Sequence, residues 1–210
     1  MRSKSQKILV EGEVGPIEIR LSDAGQNDEA GHKPKLIVIS HPHPQFGGTM
    51  DNKVVTTIER AFQGLGYSTV VYNFRGVGQS AGEYDGGYGE QRDLKAVVHW
   101  ARQTLSYEGL VLGGFSFGSY VALSALPEVQ AESLFVVAPP VGLYDFSKIA
   151  EVEIPWQVIV GLSDEVVDVG EMLDWVFSRQ NQPSVYCRAN ASHFLHGQLV
   201  WLKKIILSEY

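Results

Sequence analysis

The chain has 210 residues, 44% hydrophobic and 20% charged, a balance that supplies a full apolar core and excludes a disordered chain. Its formal net charge of −7 leaves no excess of Lys and Arg, so neither a nucleic acid nor an anionic membrane is expected as a partner. One cysteine, Cys187, excludes an intrachain disulfide, and no apolar run nears the ~20 residues of a membrane span. The start, MRSKSQKILVEGEV, reaches Glu11 after three apolar residues and lacks the core of a signal peptide. A single domain over 1–210 in a reducing, cytoplasmic setting is the expectation.

Taken in chain order, residues 7–22 (KILVEGEVGPIEIRLS) predict two strands joined at Gly15-Pro16, because apolar and charged residues alternate through Ile17, Ile19 and Leu21. Residues 24–34 form a polar, glycine-containing loop, and 35–40 (KLIVIS) a strand covered on both faces. A helix over 51–66 carries Val55, Ile58 and Phe62 on one side, with Thr49 or Asp51 as its cap. A strand over 67–74 precedes a helix over 89–105 with Leu94, Val97, Val98, Ala101 and Leu105 on one face. His99 and Trp100 sit mid-helix, Trp100 at the core edge, and neither suggests chemistry. Then come a strand at 109–115, a helix at 117–126, strands at 133–139 and 156–161, a helix at 170–179, a strand at 184–189 and a last helix at 196–207. Cys187 in SVYCRAN reads as a small core residue.

Strand and helix in alternation imply right-handed crossovers and an α/β fold: a mostly parallel sheet with helices on both faces and an antiparallel hairpin at one edge. Ligands in such sheets bind beyond the carboxyl ends of the strands. A hydroxyl, an acid and a histidine stand at three of those ends, in that order. Ser116 lies in Gly114-x-Ser116-x-Gly118 between a strand and a helix, the pattern of a nucleophile elbow, where an amide-rich helix start faces the reacting centre. A serine hydroxyl needs an imidazole to take its proton and a carboxylate to orient that imidazole. The acid candidates are Asp164, Glu165 and Asp168. Asp164 follows the strand most closely, Glu165 reads as a solvent-facing charge, and Asp168 as the cap of the next helix. The base candidates are His193, directly after the last strand, and His196, which either lines the site or caps the final helix.

The segments GGFSFGS, GLSDEVV, ASHFLHG, HPHPQFGGTMDNKVV and NFRGVGQSAG together resemble the α/β-hydrolase superfamily. Within it they are similar to short, lidless bacterial serine hydrolases that share the HPHP and GGTMDNKV segments, from about Leu36 to the C-terminal helix. The resemblance implies a Ser-Asp-His triad, carried onto Ser116, Asp164 and His193. Asn73 stands where the family usually has an acid, and the cysteine nucleophile of the dienelactone hydrolases is absent.

An oxyanion hole needs backbone N–H donors, which excludes Pro42 and Pro44. The amide of His43, with Gln45 or Phe46 behind it, is expected to act with that of Phe117, while the His41 ring holds the loop. Arg75 and Ser80 read as loop braces. Only residues 139–154 separate two strands where larger relatives insert a lid, too few for a cap domain. An open mouth shaped by Phe46, Phe115, Phe117, Tyr144, Phe146 and Phe194 follows, suited to a small-molecule acyl substrate. The expected activity is carboxylesterase-like, with no cofactor and no metal. The aromatic mouth or an edge strand offers a face for a homodimer. Two rivals remain: a metal-dependent hydrolase using His41, His43, His193 and His196, and a non-catalytic binding module on the same fold.

Overall fold

The computed structural model describes residues 5–25 and 33–210, so residues 26–32 of the expected polar loop lie outside the described residues. The strands are β1 (Ser5–Gly12), β2 (Gly15–Ser22), β3 (Leu36–Ser40), β4 (Ser68–Tyr72), β5 (Leu110–Phe115), β6 (Ser133–Val137), β7 (Trp156–Gly161) and β8 (Ser184–Arg188). The helices are α1 (Lys53–Gly64), α2 (Tyr88–Thr104), α3 (Phe117–Ala125), α4 (Val169–Phe177) and α5 (Leu199–Glu209). The strands form one sheet ordered β1-β2-β4-β3-β5-β6-β7-β8, antiparallel across β1, β2 and β4 and parallel from β4 to β8.

The continuous apolar runs become central strands because both faces of the sheet are covered. In β3, Leu36 and Val38 enter the core under α2, α3 and α4, while Ile37 and Ile39 enter the one under α1 and α5. The period of two divides β5 and β7 between the same two layers. Among the described residues no helix is long and apolar enough to cross a membrane.

Four local expectations need correction. The hairpin turns at Glu13-Val14; Gly15 and Pro16 already belong to β2, with Gly12 opposite Gly15. Pro16 occupies the start of the strand, where its missing N–H is tolerated. Helix α1 is capped by Asn52, whose side chain accepts from the Val54 amide at 2.8 Å. Asp51 pairs instead with Arg20. Helix α5 starts three residues later than expected, at Leu199, because Gly197 takes a left-handed φ of 72° and leaves His196 outside. Cys187 is exposed, since β8 is the edge strand of the sheet among the described residues.

Candidate active site

The sheet delivers β5 directly into α3, and the reversal falls on Ser116 at φ 53°, ψ −122°. A non-glycine residue there is strained by about 1–3 kcal/mol, so its surroundings must hold it. They do: the Ser116 amide donates to the Val137 carbonyl at 2.8 Å, and the Ser116 carbonyl accepts from Ser119 at 2.8 Å. The flanking glycines permit the close approach that this turn demands. A Cβ at Gly114 would overlap the Gly118 backbone, and one at Gly118 would overlap the carbonyls of Ser40 and His41 at the end of β3.

The loop after β8 brings His193 back over this turn. Its Nε2 lies 2.9 Å from Ser116 Oγ and its Nδ1 2.8 Å from Asp164 Oδ2. Both ring nitrogens are thus engaged, and the imidazole is 2% exposed. Asp164, after β7, accepts through Oδ1 from the amides of Val166 (2.8 Å) and Val167 (2.9 Å). Burial alone would raise its carboxyl; the His193 ring and the two amides outweigh burial and hold it below the ordinary carboxylate range. Asp168 caps α4, as expected, by accepting from the Glu171 amide. Glu165 is exposed, yet its Oε2 accepts from the His193 amide at 3.0 Å and so holds the backbone that carries the imidazole. A charge next to the expected acid signalled nothing of this, because the partner is a backbone amide 28 residues away.

Elimination leaves one amide donor in the His41–Phe46 loop. The Gln45 amide donates to the His43 ring and the Phe46 amide to the His43 carbonyl. The amides of His43 and Phe117 have no acceptor among the described residues. His41 fixes the first of them. Its Nδ1–H donates to the Pro42 carbonyl at 2.6 Å while Nε2 accepts from the Phe74 amide at 3.0 Å. C=O and N–H point in opposite directions across a trans peptide, so pinning the Pro42 oxygen aims the His43 N–H. A Cβ at Gly48 would overlap that same oxygen. His41 is wholly buried, and burial depresses its imidazole to about 4, keeping it neutral as this double role requires.

The remaining candidates divide. Arg75 braces its loop through Asp93, at 2.9 Å, and Glu13. Ser80 bridges the Asn73 carbonyl and the Glu18 amide. Asn73, in the acid's place, accepts from the Met50 amide and donates to Glu18. His99 is exposed, and Trp100 packs at the core edge. Phe46 (85% exposed), Phe194 (39%) and Tyr144 flank the mouth. Phe115 does not: it is fully buried behind His193, its ring 5.2 Å from the imidazole, because its place in β5 turns it to the α1/α5 face. Phe146 is also buried, against Tyr120 and Trp175. The Phe117 ring is buried too, as a floor. His196 is exposed, with its ring 5.9 Å from that of Phe194. Among the described residues no group of three His, Cys, Asp or Glu side chains converges as a metal site, and His41 and His193 already spend both ring nitrogens. Tyr84 is the residue sequence reasoning missed; its ring lies 4.7 Å from that of His43. The signal was weak: Tyr84 is one of two tyrosines, with Tyr88, in a glycine-rich stretch after a strand end.

A lidless, mostly parallel sheet with a serine bent out between β5 and α3 belongs to the α/β serine hydrolases, and the protein is an enzyme of that class. Residues 21–192 match the family model of the X-Pro dipeptidyl-peptidases (S15 family), and the chain belongs to that family. It is 34% identical over 186 residues to protein RP471 of Rickettsia prowazekii (strain Madrid E), covering 85% of this chain and 75% of that one. Among solved structures it is similar to XC6422 of Xanthomonas campestris, an α/β serine hydrolase without a lid (37% identity, TM-score 0.89, 99% of this chain and 94% of that one). A serine hydrolase homologue from Coxiella burnetii is close behind, with 37% identity, a TM-score of 0.88 and 97% and 96% coverage.

Proposed function

We propose that the protein hydrolyses a small acyl substrate, with an ester as the first choice, through Ser116, His193 and Asp164. The observation that carries this reading is the unbroken hydrogen-bond chain from Asp164 Oδ2 through both nitrogens of His193 to Ser116 Oγ, at 2.8 and 2.9 Å. Ser116 Oγ forms a bond to the substrate carbonyl carbon as its proton passes to His193 Nε2. The carbonyl π electrons move to oxygen, and the amides of His43 and Phe117 stabilise that oxyanion. As the tetrahedral intermediate collapses, the C–O bond to the alcohol breaks and His193 returns the proton to it, leaving an acyl-enzyme. Water, activated by the same imidazole, releases the acid and restores Ser116. Asp164 stays ionised and holds the His193 tautomer with its proton on Nδ1. No metal or cofactor enters these steps.

The family match favours a second reading, in which the same serine attacks the carbonyl of a prolyl amide. One experiment decides. Purified protein is treated with a fluorophosphonate probe, then assayed with p-nitrophenyl acetate and with a dipeptidyl prolyl p-nitroanilide. Labelling at Ser116 and ester turnover, both lost in Ser116→Ala, are the expected results. Retained turnover in Ser116→Ala refutes the assignment, and faster release from the anilide moves the substrate to the peptide.

A further inference from the structure

The rings around Ser116 fall into two sets that touch nowhere in the described residues. Phe115, Phe194 and His196 gather with His193, with Phe194 edge-on to the imidazole at 5.1 Å. On the other flank the His43 ring lies 4.6 Å from Phe46, 4.7 Å from Tyr84 and 5.2 Å from Phe117. Tyr144 closes this second set, 5.3 Å from Phe117 and stacked on Tyr120 at 4.7 Å.

The chemistry assigns the two flanks. His193 must protonate the leaving group, so the leaving group departs on the imidazole side. The oxyanion is taken by the His43 and Phe117 amides, and the acyl substituent is directed away from His193, over the second set of rings. That wall carries one polar feature. The hydroxyls of Tyr84 and Tyr144 lie 3.4 Å apart, beyond the about 2.5–3.0 Å of a well-made O–H···O bond, and no other side-chain or backbone partner meets either one among the described residues. Both side chains are half-buried, where a phenol ordinarily finds a partner. Two hydroxyls facing each other use one proton between them and leave the other to donate. Burial and the adjacent Tyr84 phenol push the Tyr144 hydroxyl up, so it keeps its proton.

We propose that the rings of His43, Phe46, Tyr84 and Tyr144, backed by the buried Phe117 ring, form the acyl subsite, and that it selects an uncharged aromatic acyl group carrying a hydrogen-bond acceptor for the Tyr84–Tyr144 hydroxyl pair. This rests on the hydrolase reading above and specifies its substrate. A planar acyl group gains face and edge contacts with these rings that an acetyl group cannot reach, and the distal acceptor takes the free phenol proton.

The test uses p-nitrophenyl esters with one leaving group and four acyl groups: acetate, butyrate, benzoate and 4-acetylbenzoate. Each kcat/KM is divided by the alkaline hydrolysis rate of the same ester. Benzoate is expected to exceed acetate and butyrate by about tenfold or more, and 4-acetylbenzoate to exceed benzoate by about fivefold. Tyr84→Phe and Tyr144→Phe should each lower the 4-acetylbenzoate-to-benzoate ratio toward one, and Tyr144→Leu should lower the benzoate-to-acetate ratio. Far-ultraviolet circular dichroism establishes that each variant is folded; should Tyr144→Leu fail to fold, Phe46→Ala, at an exposed position, reads the same ratio. A wild-type enzyme that labels with fluorophosphonate but shows no aromatic preference, or variants whose ratios do not move, overturns the subsite alone. Failure to label overturns both readings.

Discussion

Acid should weaken this fold through His41, and the size of the effect follows from its surroundings. The side chain is fully buried, with Nδ1–H on the Pro42 carbonyl and Nε2 accepting the Phe74 amide. A second proton has nowhere to go without breaking the Phe74 bond and charging the interior. The folded-state value is about 4, against about 6.5 for a free imidazole. A depressed value means that the unfolded chain binds the proton first. The stabilisation is complete above the unfolded value and is lost as pH falls from about 6.5 toward about 4. The gap corresponds to about 3 kcal/mol in total, of which about 2 kcal/mol disappears between about pH 7 and about pH 5. Urea unfolding at those two pH values, in wild type and in His41→Gln, isolates it. Gln satisfies only one of the two backbone groups and should cost about 1–3 kcal/mol at neutral pH. Its loss on acidification should be smaller than that of wild type by about 2 kcal/mol. His43, depressed by burial as well, is present in both proteins, and its charge is the least of the causes acting on His41. Parallel losses in the two proteins would refute the account of His41 as a neutral, doubly bonded strut.

Two further outcomes concern the groups behind His193. Asp164→Asn keeps the shape, but the Val166 and Val167 amides hold its oxygen and leave its NH2 group facing His193 Nδ1, which favours the wrong tautomer, so kcat should fall by about a thousandfold or more with little change in KM, measured on p-nitrophenyl acetate. The depressed carboxyl means that protonation of Asp164 cannot produce an acid limb near neutrality, so a wild-type pH–rate profile whose acid limb vanishes in Asp164→Glu would contradict that role. Glu165→Ala frees the His193 amide; because the carboxylate is exposed, kcat should fall only about three- to tenfold, and Glu165→Gln, whose amide oxygen still accepts, should restore most of it. Equal losses in the Ala and Gln variants would show that charge rather than the hydrogen bond matters there.

The parts legible in the sequence are those where one local pattern has one physical outcome. Runs such as LIVIS and WQVIVG lie between two helical layers because nothing in them tolerates water, and Gly114-x-Ser116-x-Gly118 can join strand to helix only by a tight turn. The juxtaposition of Ser116, Asp164 and His193 follows from strand order, since β5, β7 and β8 end on the same edge of the sheet. What stayed hidden depends on neighbours distant in the chain. Which helical layer covers the Phe115 side of β5, the exposure of Cys187 on an edge strand and the pairing of Asp51 with Arg20, which leaves the cap of α1 to Asn52, are set by neighbours that no window of residues contains. Tyr84 lies in a glycine-rich stretch without periodicity, and only the folded chain brings it to His43 and Tyr144.

The two halves of the site rest on different supports, and this bears on how the enzyme is tuned. The proposed nucleophile, acid and amide donors hang on strand ends, each tied by hydrogen bonds to the backbone: Ser116 to β6 through Val137, His41 to the segment after β4 through Phe74, Asp164 to its own loop through Val166 and Val167. Displacing any of them breaks a backbone bond, so on the proposed mechanism the geometry for charge development is set before substrate arrives, which is where electrostatic catalysis draws its effect. The proposed acyl wall comes instead from connections. Tyr84 sits on a loop fastened by the buried Glu90 carboxylate, which accepts from the Asp85 and Gly87 amides at 3.0 and 2.8 Å. Tyr144 belongs to the short β6–β7 connection where a lid would stand. Substitutions on those connections alter which acyl group fits while leaving the strand-end bonds intact. Selectivity should therefore change through Tyr84 and Tyr144 at little expense in stability, whereas changes at His41 or Gly118 should lower both together.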